Sequence, residues 1–509
     1  MNSRARNQTV LKNVYVLTLM VVALVYVAPY FLYPSGWFGD DFGVLYYAQR
    51  NLHSSWSDMF VYKDVGMQRY RPFMQMFVTL THRYFGFNSL LIRAASYLAF
   101  LSILASLYWL LRSFKSAGST RMAALIGLVW FAVVPIKMQA LARPGRPEIF
   151  VAAFCFLAIL CQQKAWGPGE PTAIPLRRAI WLLASVSFAI GAALWAEFGI
   201  SVFLVLGVWI VAPLLLSSGA IAGNFSVRVR TILGRLLVPM TGLAVYLTWY
   251  RAVGAPFQSG AAATDRYRVH FGLDTCRNVG ISIAGVLSPV ASPTGARIAA
   301  HYSGVLDWVE LIVGTISFGI LTVIVLRVLP KEWQPIKVAA VFFFSAIASL
   351  GAFVLGGHVS EVYLVQSAAF MSGCIGVLFA ATIEKMSLRA SRVFFAAGAA
   401  LVGVMLASST DAFSLMKHNA DAFSVLHADL VRHQRFDGND RFVLIPPCVH
   451  PLQFSQYYIP YNLMLSYQDM NLPEVTWLSD CKARPSPKEN AKNVYQVDMS
   501  GRLQTISLR

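Results

Sequence analysis

The 509-residue chain is 57% hydrophobic and only 13% charged, about half the charged share of roughly 25% found in soluble domains, which excludes an ordinary multidomain soluble protein. Its formal net charge of +18 is no argument for nucleic acid, because the cations fall in short clusters between apolar runs. Those runs are near twenty residues, enough to cross about 30 Å of hydrocarbon at 1.5 Å per residue.

In chain order, the first run is Val14–Tyr33. It follows Arg4, Arg6 and Lys12, lacks a small-residue cleavage site and ends in Tyr33-Pro34, so it reads as a retained signal anchor. Hydropathy and charged flanks then give about eleven spans: 14–34, 89–111, 122–136, 148–163, 179–196, 198–216, 236–252, 304–326, 338–355, 363–383 and 393–410. Between them lie Arg112/Lys115/Arg121, Lys164/Arg177/Arg178, Arg228/Arg230/Arg235, Arg327/Lys331/Lys337 and Lys385/Arg389/Arg392. Counted in order, every cluster falls on the side of the amino terminus, and the positive-inside rule puts that side in the cytoplasm. A bacterial cytoplasmic (inner) membrane is the expected location. Segments 35–88 and 253–303, the shorter 137–147 and 356–362, and the tail from Asp411 are then outside. The cations on that side (Arg69, Arg71, Arg83, Arg143, Arg146, Arg266, Arg268) run against the charge rule. Anion binding and solvated loop surface are the two readings they allow.

The first outer loop holds the densest chemistry. Asp40 and Asp41 adjoin aromatic residues, and Leu45, Ala48 and Leu52 recur at helical spacing behind them. The pair therefore opens a helix, whose dipole favours ionised carboxylates. An N-cap and a general base are both consistent with that position. Downstream, Gln68-Arg69-Tyr70-Arg71-Pro72 precedes a short stretch with Phe73, Phe77, Leu80 and Tyr84 on one face and Gln75, Thr79, His82 and Arg83 on another. It reads as an amphipathic interfacial helix opened by its proline. Guanidinium groups there suit bidentate phosphate recognition, with snorkelling as the plainer alternative.

This order (Asp40-Asp41, Tyr47-Ala48, then Arg71-Pro72) resembles the first loop of the GT-C glycosyltransferases, most of all the protein O-mannosyltransferase and aminoarabinose-transferase branch. Residues 139–148, from Gln139 through Arg143, Arg146 and Glu148, resemble that family's second outer loop. Trp195-Ala196-Glu197-Phe198-Gly199 resembles its Lys-Glu-Thr-like turn, with Ala196 where Lys is common. Ser360-Glu361-Val362-Tyr363-Leu364 resembles its Glu-Arg-Tyr-Leu motif, with Val362 replacing Arg. The likeness covers roughly residues 14–410.

The resemblance implies an all-α polytopic bundle that uses a polyprenyl-phosphate sugar donor and an acceptor hydroxyl, usually with inversion. It implies Asp40 as base and Asp41 as its orienting partner. Arg69, Arg71, Arg143 and Arg146 become the expected donor-phosphate ligands, and Glu148, Glu197, His358, Glu361 and Tyr363 the expected site lining. As helix-start acids, Glu148, Glu197 and Glu361 have a plain dipole explanation too. The acceptor class stays open between lipid, polysaccharide and protein. No cofactor is required, and residues 137–147 offer no carboxylate ahead of Glu148, so a divalent cation is not indicated.

Segment 253–303 is long enough to act as a lid. After Thr410 charged and polar residues return. Asp411–Arg435 reads as a helix, and Phe442–Ile445, Ser466–Met470, Val475–Leu478 and Val494–Met499 read as strands. Residues 411–509 are therefore expected to form a small α+β domain outside the membrane, following a transmembrane domain over 1–410. Cys448 and Cys481 in that tail are placed to pair in an oxidising compartment. No Cys/His spacing matches a zinc site.

A transporter is the main rival and would show related halves and midplane ionisable residues. A non-catalytic lipid-binding membrane protein is the other. The topology has a direct check: Ser57→Cys and Ser486→Cys should react with an impermeant thiol reagent applied to whole cells, and Ser116→Cys should not. Labelling of the last alone would invert the arrangement.

Overall fold

The computed structural model describes residues 57–60, 70–85, 89–114, 120–137, 140–141, 146–166, 175–216, 225–254, 272–291, 304–328, 333–351, 361–437, four short strands and a few single positions. The anchor at 14–34, Asp40, Asp41, Arg69, Arg143, Arg266, Arg268, His358, Cys448, Cys481 and the strand expected at 466–470 lie outside them.

Twelve helices are described: α1 (Pro72–Phe85), α2 (Ser89–Ser113), α3 (Thr120–Val133), α4 (Glu148–Trp166), α5 (Pro175–Trp195), α6 (Ser201–Leu216), α7 (Phe225–Ala252), α8 (Leu273–Leu287), α9 (Val305–Val328), α10 (Trp333–Leu350), α11 (Val365–Lys385) and α12 (Leu388–Asp437). Among the described residues, 7 are long and apolar enough to cross a membrane. The bundle is that of an all-α integral membrane protein.

α11 is its axis. Some 89% of its apolar window is buried, against 17% for α7 and 22% for α9, so the latter two are flank helices whose apolar faces meet lipid. Two glycines let α11 approach α3. A Cβ on Gly376 would collide with the Ala123 carbonyl, and one on Gly127 would come to 3.0 Å from the Ser372 carbonyl. Small residues at such a crossing let backbones meet where lipid supplies no hydrophobic drive for association. α11 also packs on α10, α4 on α5, and α9 on α12.

Two helices depart from the sequence expectation. α7 begins at Phe225, so Arg228, Arg230 and Arg235 ride on the helix and not in a connecting loop. Long cationic stems can lie along an apolar helix while their heads reach water. α12 runs unbroken from Leu388 to Asp437, through the boundary expected at 410; no glycine or proline lies between Gly403 and Asp437 to stop it. α1 forms as expected, but its buried row is Met74, Val78 and Thr81. Tyr84 and Phe85 stay exposed, which costs little where lipid is the neighbour.

In the tail, β1 (Phe442–Ile445) pairs in parallel with β2 (Val475–Trp477) and β3 (Asn493–Val497). β4 (Leu503–Thr505), not anticipated from sequence, pairs antiparallel with β3. The Leu503 amide donates to Asp429 of α12 at 3.2 Å.

The α3–α11 crossing can be tested in detergent. Gly376→Ala should lower the melting temperature by an amount equivalent to about 1–3 kcal/mol, the usual cost of overpacking. Gly398→Ala, with nothing within 4 Å of its Cβ, should be neutral or slightly stabilising.

Candidate functional site

Those expected site residues that are described lie at one end of the bundle, around the turn between α5 and α6. Glu197 opens a 3₁₀ turn, Glu197–Ile200. The Ala196 amide still donates to Ala192, and the Gly199 amide donates to Ala196 at 2.8 Å. Folding back this tightly leaves no room for a side chain at 199, since a Cβ there would run into the Ala192 carbonyl. The glycine therefore fixes where Glu197 points.

The turn's partners come from distant parts of the chain. Arg71 Nε donates to Glu197 Oε2 at 2.9 Å, with the two side chains 13% and 32% exposed. A pair this accessible is partly screened by solvent. The terminal nitrogens of Arg71 carry no bond to the described residues. Trp195, just before the turn, stacks flat on Phe150 of α4 at 4.2 Å and meets Phe73 and Phe77 of α1 edge-on. Phe198 meets the Tyr363 ring at 5.6 Å, from a second 3₁₀ turn, Glu361–Leu364, that leads into α11.

A second ion pair opens α4. Arg146 Nη1 lies 3.9 Å from Glu148 Oε1. Glu148 is 2% exposed, and neither of its oxygens accepts a hydrogen bond among the described residues. The helix dipole favours its charge, yet a buried carboxylate normally has hydrogen-bond donors. Glu148 is thus an acid with acceptor capacity to spare.

Two features escaped the sequence reading. Tyr70 donates to the Phe60 carbonyl at 2.8 Å, accepts from Trp249 Nε1 at 2.9 Å and packs edge-on against Tyr250. Burial raises its phenol above the ordinary value, against the opposing bond from Trp249. Tyr246 joins this cluster through Tyr250. Next, Lys137 ends a 3₁₀ turn beyond α3, wholly buried, with Nζ donating to the Val134 carbonyl at 3.0 Å. Burial pushes its ammonium down to about 7. Its turn packs against the Glu361–Leu364 turn. A lysine just after the apolar run 122–136 was the signal that would have found it. α8 falls on a stretch near 273–289 that is semi-amphipathic in sequence, within the segment read as a lid, and sets Gly285 against Leu364 and Ile136.

Of the expected site residues, Arg71, Arg146, Glu148, Glu197 and Tyr363 are therefore brought to one end. The backbone of Glu361 is there too. Among the described residues no group of three or more His, Cys, Asp or Glu is arranged to hold a metal.

The fold and this site define an integral membrane bundle with arginine–carboxylate pairs gathered at one face. No protein-family model and no curated protein matches the chain. Among solved structures, the helix arrangement is similar to that of ArnT from Cupriavidus metallidurans in the apo state, at 11% identity and a TM-score of 0.47, over 93% of this chain and 90% of that one. The same ArnT bound to undecaprenyl phosphate gives 13% identity and a TM-score of 0.46, over 92% and 90%. The archaeal oligosaccharyltransferase AglB from Archaeoglobus fulgidus, in complex with an inhibitory peptide and a dolichol-phosphate, gives 11% and 0.46, over 91% of this chain and 65% of that one. The likeness concerns the course of the helices, and no residue role is carried across on it.

The Arg71–Glu197 contact predicts a non-additive pair. Arg71→Gln should destabilise by about 0.5–1.5 kcal/mol, the worth of a hydrogen bond whose charge is partly screened by solvent. The double variant with Glu197→Gln should recover part of that loss, because no lone charge remains. Additive losses in thermal unfolding would mean the two groups do not couple.

Proposed function

We propose that the chain is an integral membrane glycosyltransferase. It transfers a sugar from a polyprenyl-phosphate donor to an acceptor hydroxyl on the extracytoplasmic face, with inversion. The observation that supports this most is the convergence of Arg71, Arg146, Glu148, Glu197 and Tyr363, drawn from four separate motifs, on one end of the bundle.

In this reading Asp40 takes the proton from the acceptor hydroxyl, and Asp41 orients it. The hydroxyl oxygen attacks the anomeric carbon from the face opposite the leaving group. The bond from that carbon to the phosphate oxygen breaks, and the electron pair leaves with the phosphate. Arg69, Arg71, Arg143 and Arg146 hold the charge that develops there. Phosphate leaves readily when its charge is held, so no protein nucleophile and no metal is required. Glu197 and Glu148 keep two of the arginines in place before the donor arrives, and His358, Glu361 and Tyr363 line the cavity. The acceptor is a lipid, a polysaccharide or a protein. The α+β tail over 411–509 is its proposed neighbour outside a bacterial inner membrane, with the amino terminus in the cytoplasm.

A transporter would gather ionisable groups near helix midpoints. Glu148, Glu197 and Lys137 instead sit at helix ends, which favours the transferase.

The decisive variants are Asp40→Asn and Asp41→Asn. Asn keeps the shape and capping ability of Asp but cannot take a proton. Transfer by Asp40→Asn should fall by about 10²–10⁴, while expression, detergent stability and donor binding stay near wild type. Full activity in both variants would remove the basis for a catalytic pair and bring the transporter and lipid-binding readings forward.

A further inference from the structure

Tyr70 stands next to Arg71 in the chain and takes no part in the chemistry described so far. It is fully enclosed, at 1% exposure, in a cluster with Ala193, Tyr246 and Tyr250 that Ile190 and Leu247 pack against. A buried phenol needs a partner for its oxygen. This one has two, since it donates to the Phe60 carbonyl at 2.8 Å and accepts from Trp249 Nε1 at 2.9 Å. The second of these spans 179 residues of sequence.

Arg71 is held from its other side as well. Its carbonyl accepts the Gln75 amide at 3.0 Å, so it caps α1, with Pro72 in the first helical position. Its backbone therefore lies between the enclosed Tyr70 and the first turn of a helix. The freedom that remains is in the side chain, and Glu197 engages its Nε. A guanidinium grips phosphate through two parallel N–H bonds, so its direction matters as much as its charge.

The Ser57–Phe60 turn joins the same arrangement. The Phe60 ring meets Phe73 of α1 edge-on at 6.2 Å, and Phe73 in turn meets Trp195, just ahead of Glu197. Within one short stretch of chain, Tyr70 thus reaches α7 and the Ser57–Phe60 turn, Arg71 reaches Glu197, and Phe73 reaches the residue leading into that turn. Filling the Tyr70 pocket requires only a ring, which phenylalanine would supply with no polar atom to satisfy. The hydroxyl adds direction. It ties α7 to the segment entering α1 at the point where the aim of the arginine is set.

We propose that Tyr70 is a positioning residue for the transfer reaction: its hydroxyl, bridging Trp249 and the Phe60 carbonyl, holds Arg71 where the guanidinium meets Glu197 and presents its terminal nitrogens to the donor phosphate. The role toward phosphate rests on the glycosyltransferase reading, whereas the hold on Arg71 stands apart from it.

Two measurements on the purified full chain in detergent test the two parts separately. The first is a thermal-unfolding cycle of Arg71→Gln and Glu197→Gln, run with tyrosine at position 70 and again in Tyr70→Phe. The coupling between the two side chains should fall to about half or less in Tyr70→Phe, although the ring is kept. A coupling absent from the start, or unchanged by loss of the hydroxyl, would overturn the proposal. The second is binding of undecaprenyl phosphate. Tyr70→Phe should weaken it by about tenfold, the scale of one lost hydrogen bond, and Arg71→Gln by at least as much. The losses should not add, so the double variant should bind no more weakly than Arg71→Gln. Additive losses, or full affinity in Tyr70→Phe, would show that the hydroxyl does not act through the arginine and would also overturn it. Trp249→Phe, at a position 46% exposed, should shift both readouts the same way by a smaller factor. It carries the test if Tyr70→Phe fails to fold, and no change in either readout would then decide against the proposal. Lack of undecaprenyl phosphate binding by the unaltered chain, with the coupling lost as expected, would remove the donor reading and leave the hold on Arg71 in place.

Discussion

The turn from Trp195 to Gly199 joins parts of this protein that lie far apart in sequence. Its backbone folds back onto the last turn of α5, which a side chain at 199 would prevent. From that one bend Trp195 faces α4 and α1, Glu197 faces Arg71, and Phe198 faces the turn ahead of α11. Three elements that are far apart in sequence are thus positioned by a single connection of a few residues. The glycine's role here is steric room, since its backbone is not in a conformation that only glycine adopts.

Charge placement follows from the solvent on either side. An ionised group at the apolar end of a bundle must be hydrated, paired or given hydrogen bonds. Arg71 and Glu197 meet this by direct contact, and their partial exposure leaves the arginine's remaining nitrogens available. Glu148 meets it less completely, since its nearest cation is 3.9 Å away. Lys137, among the described residues, donates to a backbone carbonyl, and burial pushes its ammonium down to about 7. A site built from such partly satisfied groups has capacity for a ligand that brings both negative charge and donors. A phosphosugar has both: phosphate oxygens for the arginines and hydroxyls for the acids.

How far the sequence could be read depended on whether the controlling force was local. Among the described residues hydropathy located the apolar helices because each apolar run must bury itself in hydrocarbon whatever its neighbours. The joining of Arg71 to Glu197, 126 residues apart, could be approached only as shared membership in a family pattern. The start of α7 was misplaced because charge was read as a helix boundary. Arg235 instead lies on the helix with its charge against an indole, a contact that no window of sequence contains. α12 was divided at a change in composition although nothing in its backbone preferences required a break there. Lys137 and the tyrosines around Tyr70 were missed because a single lysine or tyrosine carries no pattern. Their meaning lies in burial and in partners from other helices.

The two ends of the bundle solve the same electrostatic problem differently. At the Glu148 end the protein supplies the counter-charge itself, so the arginines are held in place before any ligand comes. Such preorganisation suits a site that must bind and release with each turnover, because an arriving phosphate exchanges one anionic contact for another. At the Trp166 end Arg178 and Arg235 lie against an aromatic surface, and among the described residues neither is in an ion pair. The indole face attracts each cation, but the two repel one another, so this contact fixes the arginines less firmly than a carboxylate would. Direct ion pairing and contact with an aromatic face are thus two ways in which one membrane bundle places its cations at its ends.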